Sequence, residues 1–446
     1  MANVVQLSDG TTTLTLSSGD FMVRRHPVQA PAPQTVAALG GSGEQANTPY
    51  DLGDVTETLE LLIQGSDVAD VQSNVRAIQT LLEVGQRRQN TGMGNRLFLI
   101  VQLAGEASAW RSEILSARLV LDDASDQLAR LKVEGALIVT RRFFWEANTE
   151  TQLSMSSSET TTPATTVVLY NNDDATAAAT NYIHIASTQV TGVLPAPLRL
   201  RITNAEVSAV GWQDFYIANT VFCDPSNFDP FLLGSEAAGG ATFNWATNSD
   251  EVAFRWSLSD ARLTDLAGQY VRIVVAFADA SNNVYLRPEI QATTLQIPLY
   301  VGKQVLCNAG ELFDIGSVPI PPGGHNLLGT DLDLVIRAQL IGGGTLVCDF
   351  AQLTPGGRGV FTRWTQLGFQ TASGEGIEDN GPEGTIYYFD GSRRWPIVRK
   401  YGGPVYVWPN RTNRLRVLFR TSNWDSGAVG KKMNAIAYYR PRRLDV

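Results

Sequence analysis

DVTETLELLIQGSDVADVQSNVRAIQTLLEV, residues 54–84, changes period once, and that change decides the fold. Through Val55–Gln64 the chain alternates, with Leu59, Leu61 and Ile63 on one face, the two-residue period of a half-buried strand. Gly65 and Ser66 break the run. Beyond them Val68, Val71, Val75, Ile78 and Leu82 recur at steps of three and four, a single apolar stripe along a helix. Ser66 is the expected N-cap, and Asp67 lies in the first turn, where the helix dipole favours negative charge. A helix over 66–84, ending near Gly85, spans about 28 Å and is long enough to cross one sheet.

Outward from this block, alternation and β-propensity predict strands at 96–103, 112–121 and 127–139. In the last, Ala129, Leu131 and Val133 face inward while Arg130, Lys132 and Glu134 face outward. The block leaves through Arg141-Arg142-Phe143-Phe144-Trp145-Glu146. Ahead of it, Ser8-Asp9-Gly10 marks a hairpin turn between β-prone runs at 4–7 and 11–16, and 21–24 reads as a further strand. Residues 27–49, rich in Pro, Ala, Gly and Ser, are either a loop or an arm that orders against a neighbouring subunit.

Residues 155–166 read as a Ser/Thr-rich linker. From 166 onward short strands follow one another between Gly, Pro and Asn turns with no convincing helix. The fold expected is therefore mainly β. It comprises an N-terminal β-sandwich with one helix (1–150), a jelly-roll or lectin-like β-sandwich (160–355), and C-terminal strands (360–446). Those last strands either stand alone or complete the N-terminal domain. The second is favoured, because 1–150 has few strands to close its own core.

A chain of 446 residues exceeds what one core supports. No apolar run reaches the ~18 residues of a membrane-spanning helix, and the opening residues carry no signal-peptide pattern. The net charge of −9 is unevenly spread: residues 390–446 hold 13 Lys or Arg against three acids. An acidic body with a basic end calls for a complementary contact, within the chain or between copies, unless these arginines sit on solvated strand faces. Arg393, Arg394, Arg414 and Arg416 are the candidates for contact between subunits. The acidic body disfavours nucleic acid. Cys223, Cys307 and Cys348 make no disulfide framework; Cys307 and Cys348 are either bridged or free buried thiols.

His26, His184 and His325 are too dispersed for a local metal signature, and no catalytic, cofactor or metal site is expected. Asp331 and Asp333 share a strand face but read as a turn into an edge strand. Asp and Glu are scattered through 200–350, so a glycosidase pair is a matter of geometry alone. Trp212, in an expected loop beside Gly211, with Tyr216 and Trp245, are candidates for stacking on carbohydrate; Trp256 is expected in the core.

The order of hairpin, long loop, strand, one helix across a sheet, further strands and the exit Arg142-Phe143-Phe144-Trp145-Glu146 resembles the distal-tail protein of long-tailed phages, the siphophage-type tail family. Gly403-Pro404-Val405-Tyr406-Val407-Trp408-Pro409-Asn410 and the ending Tyr438-Tyr439-Arg440-Pro441-Arg442-Arg443-Leu444 are similar to that family's close. The resemblance covers 1–146 and 385–446; the arm at 27–49 and the middle domain are not family constants. It implies a structural, non-enzymatic part of the virion tail, made in the host cytoplasm, without cofactor or membrane insertion. Such proteins form a ring, a hexamer or a trimer, at the distal end of the tail tube and join tube to tip or receptor-binding parts. The middle sandwich would face outward, toward a cell-surface glycan. Two other classes are a stand-alone carbohydrate-binding β-sandwich protein and a sandwich-type glycoside hydrolase or lyase.

Overall fold

The computed structural model describes residues 3–26, 28, 53–122, 131–170, 181–212, 214–219, 221–223, 234–237, 240–245, 250–258, 270–280, 284–307, 312–321, 326–327, 330–342, 344–355, 361–364, 369–396, 400–402, 404–410, 412–420 and 432–445. The arm at 27–49 falls outside them, apart from Val28. Among the described residues the chain is mainly β with one α-helix, and it divides into two compact units. The first comprises Met1–Thr151, Thr191–Ala196 and Arg440–Val446; the second comprises Gln152–Val190 and Pro197–Tyr439. Among the described residues, no helix is long and apolar enough to cross a membrane.

In the first unit, β1 (Val4–Ser8) and β2 (Thr13–Thr15) form the expected hairpin. After β3 (Phe21–Arg25) and β4 (Val55–Gln64) comes α1 (Val68–Thr91), then β5 (Phe98–Gln102), β6 (Trp110–Leu121), β7 (Lys132–Arg141) and β8 (Trp145–Ala147). The sheet runs β2-β1-β5-β6-β7-β4-β3. Strand β6 serves three partners: its start pairs with β5 and β8, and from Ile114 onward it pairs with β7, with a bulge between Ile114 and Ser116. Such a bulge bends and twists the strand. One core gathers Leu7, Leu59, Ile63, Ile78, Leu82, Leu99, Val139 and Trp145 from the sheet, the helix and the exit.

The helix departs from expectation at both ends. Asp67, rather than Ser66, is the N-cap: its carboxylate accepts from the Asp70 amide at 2.8 Å, while the Asp70 carboxylate accepts from the Ser66 amide. The helix runs through Gly85, which lies buried so close to Leu97 that a Cβ there would be 3.0 Å from its side chain. It stops instead at Gly92, whose left-handed backbone (φ 70°) donates its N–H to the Arg88 carbonyl. Asp67→Ala removes the cap acceptor and is expected to destabilise the helix by about 1 kcal/mol. Thermal loss of the helical circular-dichroism signal checks this. In β7, Val133 is buried as expected. Leu131, by contrast, precedes the strand with φ 54° and is 37% exposed; Ala129 and Arg130 lie outside the described residues.

The second unit draws its sheets from distant stretches. One sheet places Val167–Tyr170, Lys432–Tyr439, Arg199–Asn204, Gly376–Asn380, Thr385–Phe389 and Arg394–Pro396 side by side. Another orders Tyr182–Ile185, Asn413–Arg420, Asp214–Asn219, Phe361–Trp364 and Lys400–Gly402. Two further sheets use only strands from 221–355, and Phe254, Trp256, Ile273, Leu286, Leu334 and Leu353 of both fill one core. This arrangement differs from bodies at 160–355 and 360–446. Arg199–Asn204 pairs directly with Lys432–Tyr439, so strands of both stretches belong to one sheet. From the C-terminal stretch Arg440–Val446 joins the first unit, and from the middle stretch Thr191–Ala196 does.

Three smaller expectations also change. Leu153 and Met155 are buried, and Met155 and Ser156 form bridges with Ala164 and His184, so the beginning of the expected linker is packed structure. Asp333 lies on Thr330–Leu340, a strand with neighbours on both sides, and meets Arg255 at 3.5 Å. Cys307 is buried, its thiol 3.6 Å from the Val305 carbonyl, and the Cys348 side chain lies outside the described residues.

Candidate functional site

The exit from β7 is where the first unit concentrates its buried charge. Glu57 shares parity on β4 with Val55, Leu59 and Leu61, so the alternation that buries those residues carries its carboxylate inward too. Arg141, in register with Val55 at the end of β7, meets it there: Arg141 Nη2 lies 2.6 Å from Glu57 Oε1, and both side chains are fully buried. The other carboxylate oxygen faces His26 Nε2 at 2.9 Å. The Arg141 guanidinium also lies 4.3 Å over the buried Trp145 ring. A charge taken out of water is tolerated only when paired and hydrogen-bonded, and this one is.

Between Arg141 and Trp145 the chain turns a corner. Buried Ser112 holds it by donating to the carbonyls of Arg142 (3.1 Å) and Phe144 (2.9 Å). Strand β8 then lies between β6 and the short strand Arg442–Arg443. In that register Glu146 is opposite Arg111 on one side and Arg442 on the other. Arg111 donates Nε and Nη2 to Glu146 Oε1 at 3.1 and 2.9 Å, and Arg442 Nη2 reaches Oε2 at 3.4 Å.

Each of these guanidiniums rests on an aromatic ring. Arg111 lies over Phe98 (4.2 Å), Arg442 over Phe144 (3.9 Å) and Arg443 over Trp110 (3.7 Å). Arg443 also reaches Glu106 at 3.1 Å, and Arg440 donates to the carbonyls of Ala147 and Asn148. On the far side of Arg442, Val193 donates its N–H to the Arg442 carbonyl at 2.7 Å. Gly192 precedes it at φ 103°, where a Cβ would meet that carbonyl at 2.6 Å, so only glycine fits this approach. A groove of about 670 Å³ opens beside the clasp, between Trp110, Asn148, Gly192 and Arg443.

The electrostatics follow from the geometry. Burial acts to raise the Glu146 pKa, but the guanidiniums of Arg442, Arg111 and Arg440 outweigh it and hold the carboxyl below 4.5. A carboxyl depressed in the folded state adds stability above its unfolded pKa and loses it as pH falls through the folded value. The first unit is therefore expected to lose resistance to denaturant as pH drops below about 4.5. Glu146→Gln should flatten that dependence in acid titrations followed by tryptophan fluorescence.

The residues expected from sequence lie elsewhere. Trp212, Tyr216 and Trp245 are on strands Val210–Trp212, Asp214–Asn219 and Gly240–Trp245, and their side chains are outside the described residues. Trp212 thus ends a strand instead of sitting in a loop. Arg393 is exposed in the turn after Asp390. Arg394 pairs with Glu378 at 2.9 Å, and Arg414 and Arg416 lie 4.3 and 5.2 Å from the Tyr182 ring. Sequence reading missed Glu57 and Arg141, although the parity of Glu57 with Leu59 and Leu61 was the signal. Among the described residues, no group of His, Cys, Asp and Glu is disposed to hold a metal ion.

No family model matches the sequence, and no curated protein matches it. Among solved structures, the Dit protein of phage SPP1, described as a paradigm of the hub adsorption apparatus in phages infecting Gram-positive bacteria, is similar at 7% identity. Its TM-score is 0.28, over 99% of this chain and 99% of that one. The phage p2 baseplate in its activated conformation, with strontium and with calcium, is similar at 7% and 6% identity. The TM-scores are 0.27 and 0.30, over 98% of both chains in each case.

Proposed function

We propose that this chain is a non-catalytic structural component of a phage-like tail, forming a ring at the distal end of the tail tube and joining the tube to tip or receptor-binding parts. The observation that carries this reading is the element order of the first unit. Hairpin, strand before the helix, helix across a sheet, further strands and an aromatic-acidic exit are in the order the family resemblance implies, with the long loop outside the described residues. The clasp at that exit suits a mechanical part, because it ties Arg440–Val446 back to the block from which the chain departs at Trp145.

In such a ring each copy presents one surface to the next copy and a different one to the previous, and the rotation closes. Copy number is then a property of the isolated chain. At physiological salt the purified full-length protein is expected to form a single closed oligomer, six copies or three, by light scattering and electron microscopy. Monomers alone at high concentration, with and without tail-tube and tip proteins, would overturn the reading.

A further inference from the structure

We propose that the hairpin tip between Val284–Ala292 and Pro298–Val301, in the second unit, inserts shallowly into a lipid surface. The proposal goes beyond the assembly reading and does not depend on it. From Thr293 to Gly302 the sequence reads TTLQIPLYVG, ten residues without a charge. Within them Leu295 is 64% exposed, Ile297 53%, Leu299 43% and Val301 51%. Apolar side chains scattered singly over a surface are ordinary, but four within the seven residues 295–301 form one patch.

The exposure is built into the fold. Val284–Ala292 pairs along its whole length with Thr330–Leu340, which anchors the stem. Two backbone bonds close the turn: Ala292 donates to the Ile297 carbonyl at 3.0 Å, and Gln296 donates to the Ala292 carbonyl at 2.7 Å. Gln296 takes the left-handed backbone this turn requires, at φ 51°. Tyr300 packs against the core of the two sheets and donates its hydroxyl to the Ser317 carbonyl at 3.2 Å. With Tyr300 fixed inward, alternation turns its neighbours Leu299 and Val301 outward.

Three observations favour lipid over a second protein. Residues 294–299 are exposed one after another, so both faces of the tip are bare, whereas a strand lying in a flat interface exposes alternate residues. Among the described residues Pro298–Val301 is the edge of its sheet, yet Pro298 has no N–H and a bulge interrupts the pairing between Ile290 and Gln291. Such an edge is poorly suited to accept a partner's strand. The patch offers on the order of 400 Å², well short of the ~800 Å² that each partner of a standard protein pair buries. Lipid sets no such threshold, because each inserted side chain leaves water independently. Asp331 sets the depth: it is exposed, and its carbonyl accepts from the Thr293 amide at 2.8 Å. Leu295 and Ile297 lie beyond that pairing, so they enter the acyl layer while the carboxylate stays among the headgroups.

Flotation of the full-length protein with phosphatidylcholine vesicles tests this, at physiological and at high salt. A neutral lipid is the probe because the chain carries a net charge of −9. The protein should float with the vesicles, and high salt should not release it, since the attraction is apolar. Leu295→Ser combined with Ile297→Ser should weaken binding by about tenfold and leave the melting profile unchanged, both side chains being more than half exposed. Met93→Ser removes an apolar side chain that is 71% exposed in the first unit and should leave flotation unaltered. No flotation of the unaltered protein, release by high salt, or equal effects of the tip and Met93 substitutions would each overturn the assignment. So would a tip variant that still floats but forms smaller oligomers without vesicles, because another copy would then be what covers the tip.

Discussion

Replacing Arg141 by alanine will lower the unfolding free energy of the first unit by about 3–5 kcal/mol, the cost of leaving one partner of a buried ion pair uncompensated. The Glu57 carboxylate then loses its guanidinium partner while remaining fully buried, with His26 Nε2 2.9 Å from its other oxygen. The Trp145 ring loses the guanidinium that covers it. Glu57→Ala should cost a similar amount for the mirror-image reason. The double replacement Glu57→Leu with Arg141→Met should recover most of the loss, since apolar side chains of similar volume remove both desolvation penalties together. Denaturant titration monitored by tryptophan fluorescence distinguishes the cases. If Arg141→Ala shifts the midpoint no more than a surface substitution such as Arg76→Ala, the pair does not hold the exit.

Arg442→Ala will have the second largest effect, about 2–4 kcal/mol on the first unit. The buried Glu146 carboxylate loses one of its two cross-strand arginines, the Phe144 ring loses its stacked guanidinium, and the short strand Arg442–Arg443 loses a side-chain anchor. The readout differs from that of Arg141. Limited proteolysis should release the segment after Tyr439 sooner, because local opening becomes easier while the sheet itself stays paired. A double-mutant cycle with Glu146→Gln isolates the coupling. An interaction energy within error of zero would mean that Arg442 acts only by packing on Phe144.

The basic stretch 390–446 shows how far reading from sequence reaches. Its excess of arginine called for a complementary contact, either inside the chain or between copies. For Arg394, Arg440, Arg442 and Arg443 the structure finds partners inside: Glu378, Glu150, Glu146 and Glu106. Charge counting predicted that partners were needed, yet it had no means of choosing among acids up to 337 residues distant. Arg393 stays exposed, which leaves it open to a contact between subunits.

Local chemistry settled the elements of residues 54–84. The strand follows from two-residue alternation and the helix from its apolar stripe, and both signals act within a few residues along the chain. The same reading placed the helix end at Gly85, because intrinsic propensity disfavours glycine within a helix. Tertiary contact overrode it: Leu97 packs 3.0 Å from where a Cβ at Gly85 would sit, and the capping geometry waits at Gly92.

What periodicity does not encode is which strand lies beside which. Glu57 and Arg141 are 84 residues apart, and Glu146 and Arg442 are 296 apart; only strand register brings them together. The exit at Trp145 was visible in the sequence as a run of arginine and aromatics. Its closure by Arg440–Val446, and the assembly of one sheet from residues 167–204 and 376–439, came from long-range pairing. Such pairing is decided by the burial of whole faces and not by any local preference.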